Sequence, residues 1–284
     1  MLIISRAAFL SKAVVTSIWA GLRRSMLQSV TDFGEQDENT ESLSDTQFEL
    51  PIIPKETQIE RLVAAYPDQH LMPASDGIIW PDGTRMYIGE PRSLPFSRIL
   101  NDPELGDQLR VPYPKGKSYP VPDRPNGDPG RIRYTPFFQK MYGDSLSAVA
   151  RQLVRVEWPP GGPAAHVWIT RVNGIDQRLR AIGSAVAKLP AAEQVAARRL
   201  GGTFNWRPVA GTSRFSPHSF GIAIDLDPKL GDYWRWARHH EQINYRNRVS
   251  KEIVDIFESY GFIWGGKWFH FDTMHFEYRP ELLM

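Results

Sequence analysis

Two short segments near the C-terminus restrict this chain most, because each combines a histidine with a carboxylate. The first, Ser-Pro-His-Ser-Phe-Gly-Ile-Ala-Ile-Asp, contains His218 and ends at Asp225; the second, Asp-Thr-Met-His-Phe-Glu-Tyr, begins at Asp272 and contains His275. Two imidazoles and one carboxylate form a ligand set of catalytic zinc, which keeps a fourth position open for water. The remaining carboxylate is then free to act as a general base. The pattern indicates a zinc hydrolase.

Both segments alternate apolar and polar residues with the period of a β-strand. In the first, the alternation places Asp225 on the face opposite the isoleucines, and Gly221 lets the backbone turn sharply after His218. In the second, His275 lies on the face opposite the neighbouring methionine, phenylalanine and tyrosine. Two such strands can present His275 towards Asp225. Asp272 then lies at the start of the second strand, close to the metal without having to bind it.

Ordinary alternatives exist for each of these residues alone. A single histidine in an apolar segment is most often a core or surface residue, and Asp225 alone could be a strand-end carboxylate. The combination favours a metal site. The other histidines lack such a pattern: we interpret the run from His239 to Glu241 and His270 as solvated or as neighbours of the ligands, and His166 as structural.

The ordered motifs resemble the zinc D-alanyl-D-alanine carboxypeptidase (VanY-like) family, which is grouped with lysostaphin-type enzymes and the hedgehog signalling domain. The resemblance rests on S-x-H-x-x-G-x-A-x-D followed by D-x-x-H, and on two further stretches, 201–207 and 260–268. It covers about residues 164–284. It implies that His218, Asp225 and His275 bind Zn²⁺ and that Asp272 is the catalytic base.

The family also uses an arginine that binds the substrate and stabilises the developing oxyanion. The resemblance assigns this role to Arg207, but only a short loop separates Arg207 from His218, and Arg214 is the competing candidate. Ser216 matches the serine beside the first ligand and, with Arg214, is expected to contact the substrate. A guanidinium suits either task, because it pairs with a carboxylate through two parallel hydrogen bonds.

The resemblance implies a metallopeptidase that cuts the stem peptide of peptidoglycan, either as a D,D-carboxypeptidase or as an L-Ala-D-Glu-type endopeptidase. A non-catalytic zinc module that binds the cell wall or a protein is the alternative from another class, because the hedgehog branch uses such ligands for binding. A phage-type endolysin is the alternative among enzymes. The base candidate Asp272 favours an enzyme.

Composition limits the remaining possibilities. The 284 residues are 42% hydrophobic and include nine tryptophans, which is ample for a packed core. A formal net charge of only +2 gives no basic field for nucleic acid, so no nucleic-acid partner is expected. The absence of cysteine excludes disulfides, cysteine-zinc sites and thiol catalysis.

The sequence divides into four regions. Residues 1–30 are a possible signal or amphipathic segment, too short in its apolar run to span a bilayer, and export to the periplasm or cell envelope is expected. Residues 31–58 form an acidic linker expected to be disordered. Residues 59–150 are rich in Pro and Gly, and either wrap the catalytic part or form a small module. Residues 151–284 form the zinc peptidase domain.

The expected fold class of that domain is α+β, with a small, mostly antiparallel sheet that carries the zinc site and helices packed on its other side. Periodicity predicts strands at 153–158 and 166–172 and helices at 175–189, 191–200 and 249–260. The region before it is expected to be a loop-rich extension.

Overall fold

The structure is a computed structural model that describes residues 51–116, 125–158, 165–209, 212, 214–239 and 242–284. The possible signal or amphipathic segment, 1–30, and the linker up to residue 50 lie outside the described residues. Among the described residues, every helix is too short or too polar to cross a membrane.

Helices and strands alternate along the described residues, in agreement with the expected α+β class. Helices α1 to α6 cover Lys55–Ala65, Phe96–Asn101, Thr135–Tyr142, Leu146–Ala150, Ile175–Val186 and Lys251–Ser259. Strands β1 to β11 cover Met72–Ala74, Gly77–Ile79, Arg85–Tyr87, Leu153–Trp158, Ala165–Thr170, Leu200–Gly202, Ala223–Leu226, Arg238–His239, Gln242–Ile243, Phe262–Trp264 and His275–Tyr278. Short 3-10 helices cover Pro67–Gln69, Gly106–Leu109, Val172–Gly174, Val195–Ala197, Pro217–Phe220, Gly265–Lys267 and Pro280–Leu282.

An antiparallel sheet of four strands, in the order β10-β11-β7-β6, carries both predicted motifs. Strands β11 and β7 pair with His275 opposite Asp225 and Phe276 opposite Ile224. Successive residues of a strand point to opposite faces, so one register places the polar pair on one face and the apolar pair on the other. The alternation predicted from the sequence is confirmed.

The apolar face of this sheet packs against helices. Ile224 and Phe276 are fully buried, and the ring of Phe257 on α6 stacks on that of Phe276 with the centroids 4.0 Å apart. Removing a side chain of this size from water contributes about 2–3 kcal/mol. The Ser250 hydroxyl caps α6 by accepting a hydrogen bond from the Ile253 amide. The helix thus begins and ends within two residues of the predicted bounds.

Residues 59–150 share a core with the sheet. Leu62 of α1 and Phe137 of α3 belong to the same buried cluster as Ile224. The Tyr113 hydroxyl donates to the Glu258 carboxylate at 2.7 Å and accepts from the Trp264 amide at 3.0 Å. Both partners lie in the C-terminal part of the chain, so this region contacts the catalytic part through polar as well as apolar groups.

Two sequence predictions differ from the structure. The helix expected at 191–200 is a 3-10 turn at Val195–Ala197 followed by β6, in which Leu200 pairs with Leu226 of β7. Tertiary pairing overrides the weak helix preference of so short a segment. In addition, α1 begins at Lys55, so the last four residues assigned to the acidic linker are helical; burial of Ile59 and Leu62 on one face accounts for the earlier start.

Candidate metal centre

His218 is held in place by the turn that precedes β7. It lies in the 3-10 helix Pro217–Phe220, where the Ser216 hydroxyl accepts a hydrogen bond from the His218 amide at 3.3 Å. Gly221 then adopts φ +65°. A Cβ at this glycine would lie 2.7 Å from Cδ2 of Leu153, so both conformation and space require glycine. The turn therefore aims His218 back over the strand that carries Asp225.

The two predicted histidines lie on either side of Asp225. Nε2 of His218 is 3.2 Å from Oδ2 of Asp225, and Nδ1 of His275 is 3.0 Å from Oδ1. The ligand atoms of the three residues all lie within 4.8 Å of one another. Both imidazoles are about 92% buried, whereas the Asp225 side chain is 28% exposed and leaves one side of the cluster accessible. Such an arrangement can hold a metal and admit a small ligand.

The outward nitrogens of both imidazoles have acceptors. Nδ1 of His218 lies 2.6 Å from the Thr203 carbonyl, and Nε2 of His275 lies 3.2 Å from Oε2 of Glu277. A carbonyl oxygen can only accept, so Nδ1 of His218 donates to Thr203, and Nε2 is the nitrogen that can bind a metal. Outer partners of this kind orient metal-binding histidines. The donor set, two imidazole nitrogens and a carboxylate, therefore fits zinc.

Electrostatics keep the cluster ionised. Burial alone would raise the pKa of Asp225, but His218 and His275 hold it well below its usual range. Burial likewise opposes the charged form of His275, yet Asp225 and Glu277 raise its pKa to about 10. Metal ligands must be deprotonated histidines and ionised carboxylates. Metal binding at this cluster therefore competes with protons.

Asp272 lies one turn before β11, as predicted. Its amide donates to the Gly265 carbonyl at 3.0 Å, and it forms an isolated β-bridge with Tyr233. Its Oδ1 is buried and has no hydrogen-bond partner among the described residues. Burial, and next the negative charge of Asp225, raise the pKa of Asp272 to about 6. A carboxylate with such a pKa can accept a proton near neutral pH and donate it again.

The two candidate arginines have different surroundings. Arg207 is exposed, and among the described residues its guanidinium contacts the Pro208 carbonyl, at 3.5 Å. Arg214 is half-buried, and its Nε is buried without a partner in the described part of the chain. Burial, followed by the charges of Arg133 and Arg131, lowers the pKa of Arg214 to about 9. A desolvated cation that other cations repel favours an anionic ligand.

Ser216, expected to contact substrate, is buried, and its described hydroxyl contact is the cap on the His218 amide. The remaining histidines fall into different environments. His166 is exposed, and the side chains of the run from His239 to Glu241 lie outside the described residues. His270 is buried and lies 2.7 Å from Oδ2 of Asp128, so it is not a solvated residue.

Sequence reasoning did not assign a role to Glu277, Asp128, Arg131 or Arg133. Glu277 shares a strand face with His275, and this alternation was a usable signal. The other three lie more than 80 residues before the first metal motif, in the region rich in Pro and Gly. Nothing in their local pattern indicates that the fold brings them to the site.

Comparison with known proteins gives a family match for the segment that carries the site. Residues 210–278 match the family model described as D-alanyl-D-alanine carboxypeptidase. The site segment is similar to that of a peptidase family. The resemblance predicted from the motifs is thereby confirmed, and the matched range contains Arg214, Asp272 and the three cluster residues but neither Arg207 nor any residue before it. No curated protein and no solved structure gives a significant match to the chain.

Proposed function

We propose that this protein is a zinc-dependent peptidase that hydrolyses the stem peptide of peptidoglycan, as a D,D-carboxypeptidase or as an L-Ala-D-Glu-type endopeptidase. The observation that carries the proposal is the cluster of His218, Asp225 and His275 with Asp272 in its electrostatic range. Oδ1 of Asp272 has no hydrogen-bond partner among the described residues. The match of this segment to a carboxypeptidase family supports the substrate class.

The three cluster residues would hold the metal through Nε2 of His218, Nδ1 of His275 and the Asp225 carboxylate, since their other polar atoms already have partners or face outwards. When bound, zinc supplies a Lewis acid that polarises a carbonyl group and acidifies water. One carboxylate and two neutral imidazoles would neutralise only half of the charge of a bound Zn²⁺ ion. The site would keep a net positive charge, which suits a reaction in which negative charge develops.

Asp272 is the proposed general base. Its pKa of about 6 leaves it ionised at neutral pH, and Oδ1 is not committed to another protein group among the described residues. It would take the proton of the attacking water and deliver that proton to the amine that leaves. General acid-base catalysis of this kind contributes about 100- to 10,000-fold.

Arg214 is the proposed contact for the oxyanion or for a substrate carboxylate. Its half-buried guanidinium, close to Arg131 and Arg133, gains the missing counter-charge when an anion binds. Arg207 stays the alternative that the family resemblance suggested, although its guanidinium is exposed. Since the substrate lies outside the inner membrane of bacteria, we also propose that the protein acts in the cell envelope.

Defined muropeptides test the proposed function. The purified, zinc-loaded protein is incubated with peptides that contain D-Ala-D-Ala, L-Ala-D-Glu or a cross-bridge, and the products are weighed by mass spectrometry. Loss of one D-alanine supports the carboxypeptidase, and cleavage after L-alanine supports the endopeptidase. Intact substrates, together with specific binding of the peptides, would instead support a non-catalytic module.

Activity on whole sacculi distinguishes a phage-type endolysin from a D,D-carboxypeptidase. A phage-type endolysin solubilises intact cell walls, whereas a D,D-carboxypeptidase trims stem peptides and leaves the walls insoluble. Asp272→Asn serves as the control in both assays, because it removes the proposed base and leaves the three cluster residues in place.

A further inference from the structure

A segment that precedes the family-matched range in the sequence packs beside the candidate metal centre. Residues 126–133, here called the 126–133 segment, run along β11 and the turn before it. The Phe269 amide donates to the Gly127 carbonyl at 3.2 Å, and the His270 amide donates to Oδ1 of Asp128 at 2.9 Å. The segment is therefore fixed to the stretch before β11 by backbone as well as side-chain acceptors.

Gly130 allows the closest approach. It adopts φ +90°, and a Cβ there would lie 2.9 Å from Oε1 of Glu277 and 2.5 Å from Cδ1 of Ile263. Its carbonyl accepts hydrogen bonds from Nη1 of Arg279 at 2.8 Å and from Nη1 of Arg133 at 3.0 Å. Only glycine satisfies both the conformation and the space, so the segment is shaped to lie at this point of the strand.

The close approach at Gly130 brings Arg133 next to Glu277. Its Nη1 lies 3.4 Å from Oε2 of Glu277, and the same oxygen lies 3.2 Å from Nε2 of His275. The other oxygen, Oε1, is 3.1 Å from Nη1 of Arg279. Glu277 is fully buried and the Arg133 side chain is only 11% exposed, so water screens these charges little.

We propose that Arg133 is a positioning residue for the metal centre, acting through Glu277 on the His275 imidazole. A buried carboxylate without enough cationic partners would be free to rotate towards other donors. With Arg133 on Oε2, Glu277 keeps that oxygen aimed at the Nε2 proton of His275. This fixes the ring with Nδ1 towards Asp225. The inference deepens the proposed function, since it concerns the same site, but it is tested on metal affinity rather than on turnover.

The test is a comparison of metal affinities, measured by competition with a chromophoric chelator for Zn²⁺ and Co²⁺. Arg133→Gln should weaken binding by up to about 10-fold, the lower end of the loss that follows when the direct outer partner of a metal-binding histidine is removed. Arg133→Lys, which keeps the charge but not the planar fork, should lose less. Circular dichroism and thermal unfolding are recorded for each variant.

Arg92→Gln is the matched control. Arg92 contacts the buried carboxylate of Asp107 in the same N-terminal region, with its side chain 22% exposed, and it has no described link to His275. We expect this variant to lose stability and to bind metal as the wild type does. A loss of affinity equal to that of Arg133→Gln would mean that affinity only follows stability, and the proposal would fail.

A double-mutant cycle with Glu277→Gln tests whether Arg133 affects metal binding through Glu277. If Arg133 acts through Glu277, Arg133→Gln in the Glu277→Gln background should change the dissociation constant less than about twofold. An equal loss in both backgrounds, or wild-type affinity in Arg133→Gln, overturns the proposal. Should Arg133→Gln fail to fold, the same cycle with Arg133→Lys decides. A wild type that binds metal but cleaves no muropeptide would refute the proposed function and leave this inference standing.

Discussion

Replacing Asp272 with asparagine should make the metal-free protein more stable while it abolishes most of the activity. Burial, and then the charge of Asp225, raise the pKa of Asp272 from 3.8 to about 6. The unfolded chain therefore ionises this group more readily than the folded protein does. A rise of this size corresponds to about 3 kcal/mol at a pH above both values.

The difference in pKa makes the contribution of Asp272 to stability depend on pH. A carboxyl group whose pKa is raised by folding favours the folded state only where it is protonated, so its contribution is complete below about pH 4 and lost as the pH rises through about 6. At pH 7.5 the ionised Asp272 thus costs stability that asparagine does not cost. We expect Asp272→Asn to gain up to about 3 kcal/mol at pH 7.5 and nothing near pH 4.

Urea unfolding in the presence of EDTA measures this difference, since chelation removes any stabilisation by metal. Asp144→Asn, at an exposed position between α3 and α4, is the matched control and should change little at either pH. In the zinc-loaded protein the Asp272→Asn variant should still bind one metal and lose about 100- to 10,000-fold in kcat. Near-normal hydrolysis, or no gain in stability at pH 7.5, would refute the reasoning.

Four further substitutions have definite expected outcomes. His275→Ala should remove stoichiometric zinc and activity together, and elemental analysis that still finds one tightly bound zinc would contradict the ligand assignment. Arg214→Lys should lower kcat/KM by about 100-fold, because an ammonium does not reproduce the two-pronged geometry, whereas Arg207→Lys should have little effect; the reverse result in steady-state kinetics would return the role to Arg207. Burial would raise the pKa of Asp128, but the hydrogen bond to His270 and the charge of Arg131 lower it to about 2. Its contribution to stability is complete above about pH 4 and lost as the pH falls towards 2, so Asp128→Asn should flatten the acid limb of the stability curve; an unchanged limb in urea unfolding would show that Asp128 does not produce it.

The local sequence pattern was sufficient to predict those strands and helices whose own hydrophobic period matches their burial. The alternation around Asp225 and His275 predicted two strands with the polar side chains on one face, and the structure pairs these residues directly. Helix α5 begins at the predicted residue, Ile175, because its apolar residues recur at helical spacing. In both cases the hydrophobic period and the burial agree.

Local pattern failed where distant residues decide the outcome. The segment before β6 has helical composition, yet pairing of Leu200 with Leu226 makes its end a strand. Arg133 and Asp128 reach the site only because the chain folds back over β11, and no spacing in the sequence encodes that contact. Arg214 stood as a competing candidate in the sequence. Only the structure shows that its buried Nε has no hydrogen-bond partner among the described residues.

The direct opposition of His275 and Asp225 across the ladder has a consequence for folding. A slip of one residue between β11 and β7 would bring an apolar side chain opposite Asp225 and turn the imidazole to the other face. Only the chain with the native alignment offers a complete ligand set, so metal at 1,000 times its dissociation constant would favour that alignment by about 4 kcal/mol. Zinc present during refolding would thus select correctly paired molecules from those with shifted strands. The ion would thus favour the native strand pairing during folding, before it takes part in any reaction.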